Sequence, residues 1–140
     1  FLREVAAPYR AALPSGVLIE ERHAEAPPVL ADPKVLARAI VNLIENALQA
    51  MPQGGTLRVT SGPGHPGEIV LTVEDTGSGL TPEARARLFE PYFSTKSSGT
   101  GLGLAIVQRV VAGHGGSIDV TSAPGQGTTM RIRLKQAPRV

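Results

Sequence analysis

Asn42 and Asn46 stand one helical turn apart in "NLIENALQ", about 40° from each other on a helix that advances about 100° per residue. Gln49 falls close beside them, away from an apolar stripe made by Leu36, Ile40, Leu43, Ile44, Ala47 and Met51. A polar row of this kind is ordinarily a solvated face. Asparagine, however, is a poorer helix former than Glu, Lys or Gln. Its amide oxygen is also a hard ligand suited to Mg2+, an ion that takes few protein ligands and completes its octahedron with phosphates and waters.

The second candidate is Asp75 in "VEDTGSGL". Ile69, Leu71 and Val73 share one face of the preceding strand, and Asp75 continues the same parity. A carboxylate at the edge of a core must find donors or destabilise the fold. One reading is an Asx-turn opening the loop, with Gly77 and Gly79 supplying positive φ angles. The other is that Asp75 accepts a hydrogen bond from an adenine amino group while the glycines let the backbone approach the ring.

A third stretch, "SSGTGLGLAIVQRV", places Gly99, Gly101 and Gly103 directly ahead of an apolar run with helical spacing. It is not a dinucleotide fingerprint, because Leu104 stands where the third glycine is needed and no strand precedes it. It is not a Walker loop either, since no Gly-Lys-Ser/Thr follows a glycine at that loop's spacing. What remains is a loop entering a helix N-terminus, whose free N–H groups attract anionic oxygens, or a helix cap in a supple loop. Thr95 and Lys96 in the same loop could reach a phosphate. Phe89, Tyr92 and Phe93 at its base suit core packing.

These groups need a scaffold, and the sequence predicts one. Leu2, Val5, Ala6 and Tyr9 have helical spacing, with Pro8 near the first turn or bending the helix. "GVLIEERH" reads as a strand, and Asp32-Pro33 is a cap-and-proline start for a helix from Pro33 to Met51. "TLRVT" and "EIVLTVED" read as a hairpin joined by "SGPGHPG". Thr81-Pro82 starts a short helix through about Leu88, followed by an aperiodic loop. A helix from Leu102 to His114 and the strands "SIDVTS" and "TTMRIRL" complete the chain. The expected architecture is α/β, a two-layer sandwich with a mixed, mostly antiparallel sheet packed on one side by helices.

Composition narrows the classes. A chain of 140 residues is one domain. Its formal charge of +2 is interleaved rather than clustered, which gives nucleic acid no special support. The absence of cysteine excludes a disulfide framework or a thiolate metal site, with the cytoplasm as the expected compartment. No apolar run approaches the roughly 18 residues of a membrane span. The chain opens on Phe1 rather than Met, as expected of a piece of a longer protein. His23, His65 and His114 lie in or beside turns, and no Ser/His/acid arrangement or metal spacing emerges for them.

In order, "NLIENALQAM", "VEDTGSGL", "LFEPYFSTK", "GTGLGLAIV" and "GQGTTM" resemble the signature boxes of the ATP-binding catalytic domain of bacterial sensor histidine kinases, over residues 32–134. "FEPYFSTK" looks most like the nitrogen-regulator-like branch. The resemblance implies the Bergerat (GHKL) fold shared with gyrase, heat-shock chaperone and mismatch-repair ATPases, here as a single domain over residues 1–137 with a tail at 138–140. It implies that Asn42 and Asn46 face the triphosphate of ATP, with Asn46 holding Mg2+. Asp75 would bind the adenine amino group, and Gly77, Gly79 and Leu80 would shape its pocket, with Thr128 nearby. Residues 89–101 would form an ATP lid in which Lys96 meets the γ-phosphate. Gly99, Thr100, Gly101, Leu102, Gly103 and Leu104 would close on the phosphates.

Two positions depart from parts of the family. Gln49 stands where many histidine kinases carry Lys or Arg. Asn42 stands where hydrolytic relatives have a glutamate that activates water, and an amide cannot take that proton. Glu45 is roughly 60° from Asn42 and 100° from Asn46 around the helix, poorly placed to substitute, and reads as a solvated acid.

The implied activity is histidine kinase chemistry: ATP·Mg2+ bound here would phosphorylate a histidine on the parent kinase's separate dimerisation domain, which in turn serves a response regulator. The fragment itself is expected to be monomeric and not membrane-spanning, whether or not its parent is membrane-anchored. The rival readings are a hydrolytic GHKL ATPase, and a nucleotide-binding regulatory module or anti-sigma-type serine kinase.

Overall fold

Two short sequence signals start two of the helices. Asp32 caps α2 (Pro33–Gln49), its Oδ1 accepting the N–H groups of Lys34 at 3.0 Å and Val35 at 3.3 Å. Thr81 Oγ1 likewise accepts the Ala84 N–H at 3.1 Å to start α3 (Pro82–Ala86). In both, proline occupies the first turn, where its missing N–H leaves no bond unmade. The computed structural model describes residues 1–91 and 103–137. The other elements are α1 (Leu2–Ala11), β1 (Val17–His23), β2 (Gly55–Pro63), β3 (Glu68–Asp75), α4 (Gly103–Gly113), β4 (Ser117–Ser122) and β5 (Thr128–Lys135).

The strands form one sheet in the order β1-β2-β3-β5-β4, parallel between β1 and β2 and antiparallel elsewhere. This is the mixed, mostly antiparallel sheet expected. Its inner face supplies Leu57, Val59, Leu71, Val73, Ile132 and Leu134 to the core, against Ile40, Leu43 and Ile44 of α2 and Val107 and Val111 of α4. The outer face carries charge instead: Arg58 pairs with Glu20 and Glu74, and Arg133 with Asp119 and Glu68.

Boundaries shift by two residues or more in three places. The apolar stripe reaches Met51, but α2 ends at Gln49 and Met51 enters the core from the following turn. The helix after Thr81 stops at Ala86, leaving Leu88 buried in a turn. β2 extends to Pro63, taking in part of what reads as linker, because Ser61 and Gly62 pair with Leu71 and Val70. Pro8 lies inside α1.

The histidines acquire structural roles that their sequence neighbours do not announce. His114 Nδ1 donates to the Val110 carbonyl at 2.8 Å, and its Nε2 accepts the Asp32 N–H at 3.1 Å, so a neutral ring ties the end of α4 to the start of α2. His23 bridges Ser61 Oγ at 2.8 Å and Glu21 Oε1 at 3.0 Å. This corrects the expectation that no Ser/His/acid arrangement forms: the parallel register sets His23 opposite Ser61. Glu21 also pairs with Arg10 of α1, so the row straps that helix to the sheet edge. Burial pushes the Glu21 carboxyl up, yet hydrogen bonds from His23 and Arg10 outweigh it and hold the group below the usual carboxylate range.

Tyr9 makes the second tie from α1, donating its hydroxyl to Glu45 Oε1 of α2 at 2.7 Å. Burial, then the hydrogen bond to that carboxylate, push the phenol up from 10.0 to about 12. A raised acid pKa favours the protonated form in the folded state. Stability from this group is therefore whole below pH 10 and declines as pH rises toward about 12. Tyrosinate absorbance titration of the folded chain is expected to show a component near pH 12 that disappears in Tyr9→Phe; its persistence in that variant would disprove the assignment.

Candidate functional site

The candidate residues gather at the sheet end where β3 and β4 finish and β5 begins. Asp75 is the last residue of β3 and the one buried charged side chain among the described residues, 6% exposed. It sits opposite Leu57 of β2 on one side and Thr128 of β5 on the other. Thr128 in turn sits opposite Ser122, the last residue of β4. Directly opposed residues share a face, so Leu57, Asp75, Thr128 and Ser122 form a row that runs from apolar to polar along the sheet.

Asp75 Oδ1 accepts the Gly77 N–H at 2.8 Å, which fixes the plane of the carboxylate. This is the geometry of an Asx-turn, and it is compatible with the binding reading. The glycines of the loop divide their work differently from the expectation. Gly79 has φ +72°, as expected, but Gly77 is not among the positive-φ glycines. A Cβ on Gly77 would lie 2.3 Å from the Ala50 carbonyl oxygen, so close approach to the end of α2 selects glycine there. The Ser78 N–H donates to the same Ala50 oxygen at 3.2 Å.

That docking joins the loop to the helix carrying the asparagines. Asn42 and Asn46 are half-buried rather than on a solvated face, whereas Gln49 and Glu45 are exposed. The reason is α4, which packs along α2 beside the stripe: an added Cβ on Gly103, its first residue, would stand 3.8 Å from Asn42 Oδ1. The N-terminus of α4 therefore opens next to Asn42. Leu104 and Leu80 are partly buried against the core. Lys96, Gly99, Thr100, Gly101 and Leu102 lie outside the described residues, as do Tyr92 and Phe93 and most of the segment expected to be a lid. Phe89 packs against the core as expected.

Sequence reasoning missed Ser122. Its Oγ lies 2.8 Å from the Leu80 nitrogen, 3.0 Å from the Gly127 carbonyl oxygen and 2.8 Å from Thr128 Oγ1. Only the pairing of β4 with β5, which brings residues six apart face to face across a turn, reveals it.

Across this site the chain can offer a fixed carboxylate and a hydroxyl at one end, and two amides and a helix N-terminus at the other. The first pair suits the polar edge of a ring. The second suits anionic oxygens and a hard cation. Among the described residues no cluster of His, Cys, Asp or Glu could hold a metal by itself.

Residues 31–138 match the model of the family described as histidine kinase-, DNA gyrase B- and HSP90-like ATPase, and the chain belongs to that family. It is 46% identical over 106 residues to sensor histidine kinase ZraS of Klebsiella oxytoca, covering 76% of this chain and 23% of that protein. The chain thus spans about a quarter of the length of the curated relatives it matches. Among solved structures it superposes on the mycobacterial sensor histidine kinase MprB with a TM-score of 0.83 at 33% identity, covering 99% of this chain and 93% of that one. It superposes on full-length ShkA in complex with AMPPNP with a TM-score of 0.85 at 33% identity, covering 99% of this chain and 30% of that one. The fold is that of histidine kinase catalytic domains. No helix among the described residues is long and apolar enough to cross a membrane.

The glycine geometry makes a graded prediction. A Cβ at Gly79 would lie 1.9 Å from the Ala123 carbonyl oxygen in a left-handed conformation, whereas one at Gly67, φ +80°, would meet nothing within 4 Å. Gly67→Ala is expected to cost about 1 kcal/mol, the backbone term alone. Gly79→Ala should cost about 2 to 4 kcal/mol, because the loop must also move. Denaturant unfolding of both variants checks the order; equal losses would refute the close packing of the loop on β4.

Proposed function

We propose that this chain binds ATP·Mg2+ and presents the γ-phosphate to a histidine on a separate dimerisation domain of its parent protein, from which a response regulator is served. The observation that carries the reading is the buried Asp75, oriented by the Gly77 N–H and flanked by Thr128, at the same end of the sheet as the paired asparagines. In this reading Asp75 accepts from the adenine amino group. Gly77, Gly79 and Leu80 line the ring, and Asn42 and Asn46 face the triphosphate. Lys96 and the segment from Gly99 to Gly103 act on the phosphates, as the family resemblance implies.

The donor set fits magnesium. Two neutral amides one turn apart, beside a helix N-terminus, supply oxygen without the surplus negative charge that would repel a triphosphate. Asn46 would hold the ion, as the family resemblance implies. Bound there, the ion would neutralise charge that develops on the transferring phosphoryl group, a reaction dominated by positioning.

Kinase chemistry is favoured over hydrolysis by what α2 lacks. Its only carboxylate is Glu45, and Glu45 Oε1 is engaged by the Tyr9 hydroxyl on the side of α1. No acid of this helix is placed one turn before Asn46 to take a proton from water.

Loss of one hydrogen bond to a charged group costs about 1.5 to 3 kcal/mol, or roughly tenfold to a hundredfold in affinity. Asp75→Asn is expected to weaken ATP binding by that range in titration calorimetry. Asn46→Ala should chiefly reduce the gain in affinity that Mg2+ confers. Unchanged binding in both variants would rule the assignment out. With radiolabelled ATP the chain alone should acquire no label, and a dimerisation domain carrying its histidine, added in trans, should acquire it. Label on this chain, or rapid phosphate release without an acceptor, would favour the rival activities.

A further inference from the structure

Among the described residues Ser122 makes more hydrogen bonds than any other side-chain hydroxyl near the site, and the identities of its partners assign the protons. The Leu80 N–H can only donate and the Gly127 carbonyl can only accept. For all three contacts at Ser122 Oγ to be hydrogen bonds, Ser122 must donate its single proton to Gly127, at 3.0 Å. Thr128 must then donate its own proton to Ser122, at 2.8 Å. Ser122 accepts twice and donates once, with the Leu80 N–H at 2.8 Å as the second donor. The residues joined are those that shape the site: the loop after Gly79, the turn ahead of β5, and Thr128 itself.

The consequence lies one strand away. With its proton directed at Ser122, the Thr128 hydroxyl has only lone pairs left to offer on the side of its other neighbour in the row, Asp75. Two acceptors then stand side by side at the polar end of the sheet. A base edge bearing an amino group meets them favourably, whereas a ring carbonyl at the same position faces lone pairs and loses its water without replacement. We infer that Ser122 is a positioning residue that sets base selectivity, by locking the Thr128 hydroxyl as an acceptor beside Asp75. This rests on the reading that adenine lies at Asp75 and Thr128.

The test compares ATP with inosine triphosphate, which has a carbonyl in place of the amino group, and with tripolyphosphate, which has no base. Titration calorimetry on the chain measures all three. In Ser122→Ala the Thr128 proton is released and can turn to a carbonyl. ATP affinity should fall about fivefold to tenfold, inosine triphosphate affinity should hold or rise, and tripolyphosphate affinity should stay within about twofold. Ser122→Thr, which keeps the hydroxyl, should restore the ratio. In a Thr128→Val background, Ser122→Ala should leave the ratio nearly unchanged, the mark of two residues acting as one.

A purely structural role would lower the three affinities together and leave their ratios alone. Should Ser122→Ala fail to fold, Ser122→Cys keeps the shape with a weak donor and acceptor, and must also shrink the ratio of ATP to inosine triphosphate affinity. An unchanged ratio in folded Ser122→Ala, or in Ser122→Cys if that is the variant that folds, overturns the inference while the nucleotide reading stands. An unmodified chain that does not prefer ATP overturns both.

Discussion

A carboxylate on the core-facing side of a sheet is the constraint to which the surrounding structure answers. Asp75 follows Ile69, Leu71 and Val73 in parity and is as buried as they are. Such a group is tolerated only where donors meet it. The chain supplies one by turning immediately so that the Gly77 N–H returns to Asp75 Oδ1. That turn then has to pass close under the end of α2, where only a residue without a side chain clears the Ala50 carbonyl. It must also pass close to the β4–β5 connection, where the same holds for Gly79 against Ala123 and for Gly127 against the Asp75 carbonyl. The glycines in this region follow from the placement of one acid.

The same constraint explains why the helix and the sheet end cooperate. Docking of the loop on Ala50 fixes the C-terminal end of α2, one turn beyond Asn46. The opposite end of that helix is capped by Asp32 and tied by the Asp32 N–H to His114, the residue after α4. Held at both ends, α2 keeps Asn42 at a set depth beside the first residue of α4, with Asn46 one turn further on. Chemistry that depends on positioning gains from such rigidity, because small displacements of a ligand oxygen cost heavily.

Much of this was legible in the sequence for local reasons. Caps, prolines and alternation are short-range signals, and Asp32-Pro33, Thr81-Pro82 and the pattern ending in Asp75 gave the elements their order and type. The asparagines stood out because their residue type disagrees with helix propensity. What escaped is non-local. The link of Ser122 to Leu80, that of His23 to Ser61 and that of Tyr9 to Glu45 each join residues more than thirty positions apart. Strand order and register decide them, and neither is written in a periodic pattern. Gly77 was expected to supply a positive φ, but space selects glycine there, and in sequence the two demands look alike.

Glu45 shows how the non-local contacts bear on the chemistry. In sequence it is the one acid near the asparagines, and a reader seeking a base for water would settle on it. In the fold, Tyr9 of α1 donates to its carboxylate, and the raised phenol pKa shows how firmly the proton stays on the tyrosine. The acid therefore serves to hold α1 against α2. The side of α2 that meets the N-terminus of α4 is left with amides, which can hold a cation and face phosphate oxygens but cannot deprotonate a water. On the proposed reading such a site would retain the phosphoryl group until an acceptor brought its own nucleophile, as a histidine side chain does.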